Sequence, residues 1–546
     1  AWPPSRRGAF LMGQNKRERV NRSSRPKPVV TRPSAADPMP AWLKTDKAIA
    51  AGESFFRPVD WLAFGITTLV TLLGYCLTIS PDLTLEDCGE LAVGSMYAGV
   101  PHPPGYPVWT LYTWLFTKLV PISNIAFRVA LSSAFAAALS SGLLALLTCR
   151  ASARLVESIE WLGGVDERLA KRITLVGGCV AGLMLGFSGF MWSQAVIVEV
   201  YTLSVLSLMG VLCCLYRWTQ DTARMRYLYW TFFWFGICLC NHQTLIVAAM
   251  GIETVILFAH PRLGRNFFTV NALVYLLVLV AMAVGATELF SGNAPMQVLF
   301  HMLGVSFIAV AALLWFVTLE HDGGGEGLNR MIKGLLFPQI EGRANRAEWW
   351  LHIFGYLFSA IVISVLAMLS GHAWLSIFSI FLIWPSISIN VRRYHDMGKS
   401  GWWALLPYSP FIFVLLIGKF ILPSNFLFGY IGIRLLSYLT MGILLYWIIF
   451  CGFFKGTVGS NPFGSESDSS ANEEIRGGLQ VIWSGLAYAG GAAFYLFMPL
   501  ASMTNPPINW GYPRTWLGFM HAFTRGQYQQ TNPTTDFFQF LGQIKM

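Results

Sequence analysis

Between Thr84 and Pro107 the chain reads TLEDCGELAVGSMYAGVPHPPGYP, which gathers the carboxylates Glu86, Asp87 and Glu90, one histidine and four prolines. Asp87 and Glu90 are three apart, so one helical turn would point both carboxylates the same way. Such a pair suits general-base work on a hydroxyl, because partial burial and like-charge proximity both raise a carboxylate pKa. The same spacing fits an acidic solvated loop or a helix N-cap, with Asp82 and Glu86 as neighbours. In HPPGYP, residues 102–107, the two prolines hold φ near about −65° and Gly105 permits a sharp turn, which places His102 beside the carboxylates. His102 can donate to a phosphate or sugar oxygen, or act as a structural hydrogen bonder.

Further polar groups interrupt apolar sequence. Glu199 in WSQAVIVEVYTL lies between two apolar runs, where a charge is costly unless it faces water or a partner. Asn241, His242 and Gln243 mark a break between two short apolar segments, where irregular backbone can line a cavity or simply cap a helix. Arg128 opens another apolar run, placed either to pair with a lipid phosphate or to snorkel.

The elements that must position these groups are membrane helices. The 546-residue chain is 55% hydrophobic, only 12% charged, and has a mean hydropathy of +0.53. Runs long enough to cross about 30 Å of hydrocarbon recur from Trp61 to Leu500. Spans are expected near 60–79, 126–149, 173–191, 197–216, 227–240, 244–259, 267–289, 296–318, 351–369, 373–391, 402–422, 428–451 and 479–500. The fold class is therefore an all-α polytopic transmembrane bundle of about thirteen spans. The aromatic stretch Tyr106–Pro121 is short for a span and is expected to be re-entrant or interfacial. With it out of the count, the basic loops and the N-terminus face the cytoplasm, while Asp87, Glu199, the 240–244 turn and the C-terminus reach the outer face.

The net charge of +10 resides in the tail and in short loops, a positive-inside pattern that argues against nucleic acid as a partner. The nine cysteines form no CxxC or Cys/His cluster, so neither a disulfide framework nor a zinc site is expected. Residues 1–57, rich in Arg, Pro and Ser, read as a disordered cytoplasmic tail. There is no Walker loop, HExxH, GxSxG or Rossmann fingerprint, and HDGGGEG at 321–327 reads as a linker. No cofactor is expected, and nothing demands a metal, although Asp87, Glu90 and His102 are able to hold one.

Four stretches together carry a resemblance: DCGELAVGSMYAGVPHPPGYP, FRVALSSAFAAAL (127–139), FMWSQAVIVEVYTL (190–203) and GICLCNHQTL (236–245). They resemble the bacterial membrane-protein family related to the vertebrate plexin-type protein O-mannosyltransferase. AAFYLFMPLASMTNPPINWGYPRTWLGFMHAFTRGQYQ (492–529) is similar to the segment in which that family leaves its last membrane helix. The resemblance covers about 60–290 and 478–540. It implies a GT-C-like module, in which a catalytic acid in the first outer loop serves transfer from a polyprenyl-phosphate-linked sugar. By that resemblance Asp87 is the base for a Ser/Thr hydroxyl and Glu90 positions acceptor or sugar. The implied substrate-binding set is His102, Tyr106, Arg128, Glu199, Asn241 and His242, with His102 and Arg128 at the lipid phosphate or donor pocket.

EGRANRAEWWLHIF (341–354), SISINVRRYHDMGKSGWWALLPYSP (386–410) and FKGTVGSNPFG (454–464) resemble instead the small YhaH-type inner-membrane domain, a four-helix unit. Its Arg392, Arg393, His395 and Asp396 either bind headgroups or a partner, or form a structural Arg–Asp network. The expected organisation is tail 1–57, GT-C-like module 58–330, inserted YhaH-like unit 331–467, and a last span with the start of an outer segment at 468–546. The expected function is sugar transfer, with mannose foremost, to protein Ser/Thr hydroxyls on the outer face of a bacterial inner membrane. The partners are then the lipid-linked donor, the protein acceptor and the bilayer. The alternatives are a transporter or lipid-binding scaffold, or a relative inactivated by the insertion.

Overall fold

The computed structural model describes residues 54–84, 86–159, 165–283, 294–321, 339–409, 427–464 and 469–525. Residues 1–53 of the tail expected to be disordered, nearly all of the glycine-rich linker and residues 410–422 of the 402–422 run lie outside them. Among the described residues the chain is helical without strands, and it forms the transmembrane bundle expected from the apolar runs.

The first half comprises α1 (Pro58–Thr78), α2 (Cys88–Tyr97), α3 (Pro107–Leu119), α4 (Ile125–Ser158), α5 (Glu167–Gly186), α6 (Gly189–Ala195), α7 (Tyr201–Thr219), α8 (Arg226–Asn241), α9 (Ala248–Ala259), α10 (Pro261–Ala283) and α11 (Ala294–His321). Then follow α12 (Arg346–Ser370), α13 (Ile383–Asp396), α14 (Leu427–Phe453), α15 (Ser469–Ala492), α16 (Phe497–Met503) and α17 (Trp516–Phe523). Among the described residues, eight helices are long and apolar enough to cross a membrane. The expected span 428–451 lies within the 27-residue α14 and 227–240 within the 16-residue α8, while the remaining expected spans are broken. The run at 373–391 is a 3-10 turn series, Ala373–Leu382, before α13, and 402–422 begins as another at Gly401–Tyr408. The polar end of the former, from Ser388 to Asp396, is drawn into buried hydrogen bonds and ion pairs, which a straight apolar span would not allow.

The central helix is α4, which at 34 residues is about 50 Å long. Asn124 starts it, its Oδ1 accepting from the Phe127 N–H at 2.8 Å. Alanines and serines on its buried face let α1 and α5 approach closely. A Cβ on Gly182 of α5 would lie 2.5 Å from the Ser141 carbonyl, so the contact tolerates no side chain there. A similar crossing joins distant parts of the chain: a Cβ on Gly236 of α8 would lie 2.3 Å from the Tyr488 carbonyl of α15. Thus α15 packs directly on α8, although the YhaH-like segment separates them in sequence.

The short α3 has 13 residues, about 20 Å, too little for about 30 Å of hydrocarbon. It buries Trp109, Thr110, Thr113 and Thr117 and is tied to α2 by the Ser95–Thr113 hydroxyl pair at 2.7 Å. Beneath these two helices lies a core of Cys88, Leu91, Tyr106, Trp109, Val129, Val198 and Leu203. That core carries the candidate site.

Candidate active site

Asp87 is the N-cap residue of α2 and Glu90 lies in its first turn, as the three-residue spacing requires. The helix start is pinned from below, since the buried Cys88 Sγ–H donates to the Val198 carbonyl at 3.4 Å. The HPPGYP loop then returns above it. Gly105 has φ +86° and packs on Met498, where a Cβ would come within 2.8 Å of the methionine methyl, so glycine is required on both counts. The loop's other edge is bridged to the segment after α16: the Val100 N–H donates to the Ile508 carbonyl at 2.9 Å and Trp510 N–H to Val100 at 3.0 Å.

The result places His102 between the two carboxylates. Its backbone N–H donates to Glu90 Oε1 at 2.6 Å, and its ring Nδ1 is 3.3 Å from Glu90 Oε2. Nε2 stands 3.1 Å from the Tyr106 hydroxyl and 3.8 Å from Asp87 Oδ2. The hydrogen bond to Glu90 raises the His102 pKa above the ordinary histidine value; burial opposes it, and the charges of Glu90, Asp87 and Glu199 add to the rise. Asp87 differs from the expected partial burial: its side chain is 58% exposed, against 20% for Glu90 and 13% for His102. Asp87 is therefore the accessible member of the trio. Asp87, Glu90 and His102 also present ligand atoms within 4.8 Å of one another, a geometry able to take a divalent cation.

Glu199 belongs to the same neighbourhood. It is 5% exposed, in the loop between α6 and α7, with its carbonyl accepting from Trp109 Nε1 at 3.0 Å and its Oε2 accepting from the Val200 N–H at 2.6 Å. Burial pushes its carboxyl up to about 7; the Val200 bond opposes this, while a hydrogen bond with Glu86 and the charges of Glu86 and Asp87 reinforce it.

The remaining sequence candidates separate. Arg128 turns away from the acid cluster: its guanidinium donates to the carbonyls of Ile122, Thr117 and Ser123, each at 3.0 Å, and closes the loop from α3 to α4. Asn241 is fully buried and donates to Ser207 on α7 at 3.3 Å, a contact between helices. His242 caps α8, with Nδ1 2.5 Å from the Thr244 hydroxyl and its ring 5.2 Å from that of Tyr201. Burial and the charge of Arg525 lower its pKa.

Arg525 is a group that no motif singles out. It follows α17 and lies within electrostatic reach of both His242 and Tyr201, which in turn senses Glu199, Glu86 and Asp87. Gln243 holds that segment in place, donating to the Phe523 carbonyl at 2.8 Å and to the Tyr495 hydroxyl at 3.1 Å. A cation thereby joins the acidic face from more than 300 residues away.

The charged motif of the YhaH-like segment is internal. Asp396 is bound by Arg343, at 2.9 Å, and by Arg393, while Arg392 pairs with Glu348 at 2.6 Å and the His395 ring stacks on Phe463. These groups hold α12, α13 and the 454–464 loop together.

The family model described as the N-terminal domain of the protein O-mannosyl-transferase TMEM260 matches residues 87–264, and the one described as a protein of unknown function, DUF805, matches residues 337–465. The chain is 28% identical over 187 residues to the protein O-mannosyl-transferase TMEM260 of Mus musculus, covering 34% of this chain and 24% of the mouse protein. It is 32% identical to the Escherichia coli K12 protein YiiR over 134 residues, 23% of this chain and 85% of YiiR. With the E. coli K12 inner membrane protein YhaH it shares 34% identity over 87 residues, 14% of this chain and 70% of YhaH. The chain thus spans about a quarter of the mouse relative's length. No solved structure matches it. Through residues 337–465 the chain belongs to the DUF805 family of YiiR and YhaH, and through residues 87–264 it is a relative of the TMEM260 protein O-mannosyl-transferases.

Proposed function

We propose that this chain is a GT-C-type membrane glycosyltransferase that moves one sugar, mannose, from a polyprenyl phosphate to a Ser or Thr hydroxyl of a protein at the outer face of an inner membrane. The relationship to TMEM260 supports the transferase class, and the name of the E. coli inner membrane protein YhaH supports an inner-membrane location. The observation that carries the mechanism is the exposed Asp87 carboxylate 3.8 Å from a His102 ring whose other nitrogen is fixed on Glu90.

In this mechanism the acceptor oxygen attacks the anomeric carbon as the bond from that carbon to the phosphate oxygen breaks. Asp87 takes the hydroxyl proton, and polyprenyl phosphate leaves with the bonding pair; a single displacement inverts the anomeric centre. Glu90 acts through His102, holding the ring in one orientation. The positive charges of Arg525 and of protonated His102 are placed to offset charge on the departing phosphate. The test is incubation of the purified chain with a panel of polyprenyl-phosphate sugars and a Ser/Thr peptide, with and without a chelator, and detection of glycosylated peptide by mass spectrometry. Transfer from the mannosyl donor is the expected result; no transfer from any donor by folded protein would overturn the proposal.

A further inference from the structure

Far from Asp87, a cavity of about 510 Å³ opens at the seam between the DUF805 segment and α15. Arg346, Lys455 and Arg476 line it, with Trp350 and Trp483 as walls whose ring centroids are 5.8 Å apart. Its acidic lining residue, Asp396, is already bound by Arg343 and Arg393. Arg346 donates to the Phe453 carbonyl at 3.2 Å, while Lys455 and Arg476 make no hydrogen bond or ion pair with any described residue. Three exposed cations therefore converge on one concavity, and among the described residues no free carboxylate is there to hold them. Like charges so placed repel, and an anion between them removes that cost.

The three cations also share a place at the ends of apolar helices. Arg346 begins the apolar span Arg346–Ser364, Arg476 begins the apolar span Arg476–Met503, and Lys455 follows the apolar helix Tyr438–Phe453, which runs the other way. All three thus stand where apolar helix gives way to polar chain at one end of the bundle, the depth of lipid phosphates. Tryptophans are enriched at that depth because an apolar ring and a polar N–H are both accommodated there. Arginine and lysine are the residues that recognise phosphate oxygens.

We propose that this cavity binds a phosphate-bearing anion, with Arg346, Lys455 and Arg476 contacting the phosphate and Trp350 and Trp483 flanking what the phosphate carries. An anionic phospholipid headgroup and a soluble phosphate share this chemistry. The site is separate from the Asp87 cluster and does not depend on the transferase proposal. Occupied, it would clamp α12 and the end of α14 to α15, the helix that packs on α8.

Native mass spectrometry of the full chain in detergent tests it, with phosphatidylglycerol, phosphatidylcholine and inorganic phosphate as separate probes. The double variant Lys455→Ala/Arg476→Ala removes two side chains that make no hydrogen bond or ion pair with a described residue, and Lys171→Ala serves as a control on a different surface. The wild type is expected to retain phosphatidylglycerol over phosphatidylcholine, and the double variant to bind about 25-fold more weakly, from about fivefold per cation removed. The control should bind as the wild type does. Retention of inorganic phosphate without phosphatidylglycerol, lost in the double variant, would assign the same site to a soluble phosphate. Equal retention of both lipids with no phosphate binding, or a double variant indistinguishable from wild type with every probe, would overturn the proposal.

Discussion

His102 and Glu90 are joined twice, once through the His102 backbone N–H at 2.6 Å and once through ring Nδ1 at 3.3 Å. The double attachment fixes both the loop and the imidazole, leaving Nε2 to face Asp87 and Tyr106. Glu90 thus positions His102, and its effects should be separable from those of Asp87.

Replacing Glu90 by Gln should lower the His102 pKa, because the carboxylate hydrogen bond is the largest cause of its rise. The stability contributed by a raised histidine pKa is fully present below the unfolded value of about 6.5 and is lost as pH rises through the folded value. Glu90→Gln should therefore lower Tm more at pH 6 than at pH 9, by an amount equivalent to about 1–3 kcal/mol at the lower pH. Equal losses at both pH values would separate His102 from Glu90.

Glu199→Gln tests the buried carboxyl. A carboxylate whose folded pKa is raised to about 7 contributes stability that is present below its unfolded value and lost as pH climbs through 7. The variant should match wild type near pH 4.5 and exceed it at pH 8, by up to about 3 kcal/mol, read from thermal unfolding of the detergent-purified chain. A variant less stable than wild type at pH 8 would contradict the assignment.

The close approach of α5 and α4 predicts a sharp contrast between two neighbouring glycines. Gly182→Val should destabilise by about 1–3 kcal/mol, because its Cβ would overlap the Ser141 carbonyl. Gly177→Val meets nothing within 4 Å of its Cβ and should be tolerated. Protease resistance of the two variants in membranes distinguishes them.

Asp396→Ala would leave two buried guanidiniums without their shared carboxylate, a loss of about 3–5 kcal/mol. Yield of folded protein should fall, and sugar transfer per folded molecule should stay unchanged. A fall in specific transfer would instead tie the YhaH-like segment to the reaction.

Much of this architecture is legible locally. Apolar runs mark the bundle, and the D-x-x-E spacing with HPPGYP brings Asp87, Glu90 and His102 together because the three lie within 16 residues and one rigid loop. Non-local contacts are not legible in this way. Arg525 reaches the site only through the bridge of Val100 to Ile508 and the hold of Gln243 on Phe523, neither of which leaves a periodic trace. Arg128 is not decided by sequence, because a cation at a helix start fits a lipid phosphate as well as the three carbonyls to which it donates here. The 373–391 run misleads for a related reason: apolar composition does not distinguish an α-helical span from a 3-10 segment whose polar end is buried in ion pairs.

The most direct measurement compares single-turnover transfer by wild type, Asp87→Asn and Asp82→Asn from polyprenyl-phosphate mannose to a Ser/Thr peptide. Asp87→Asn keeps the shape of the side chain and removes its basicity, so transfer should fall about 10²–10⁴-fold, with Asp82→Asn near wild type. Transfer by Asp87→Asn at the wild-type rate would contradict the role of Asp87 as the base.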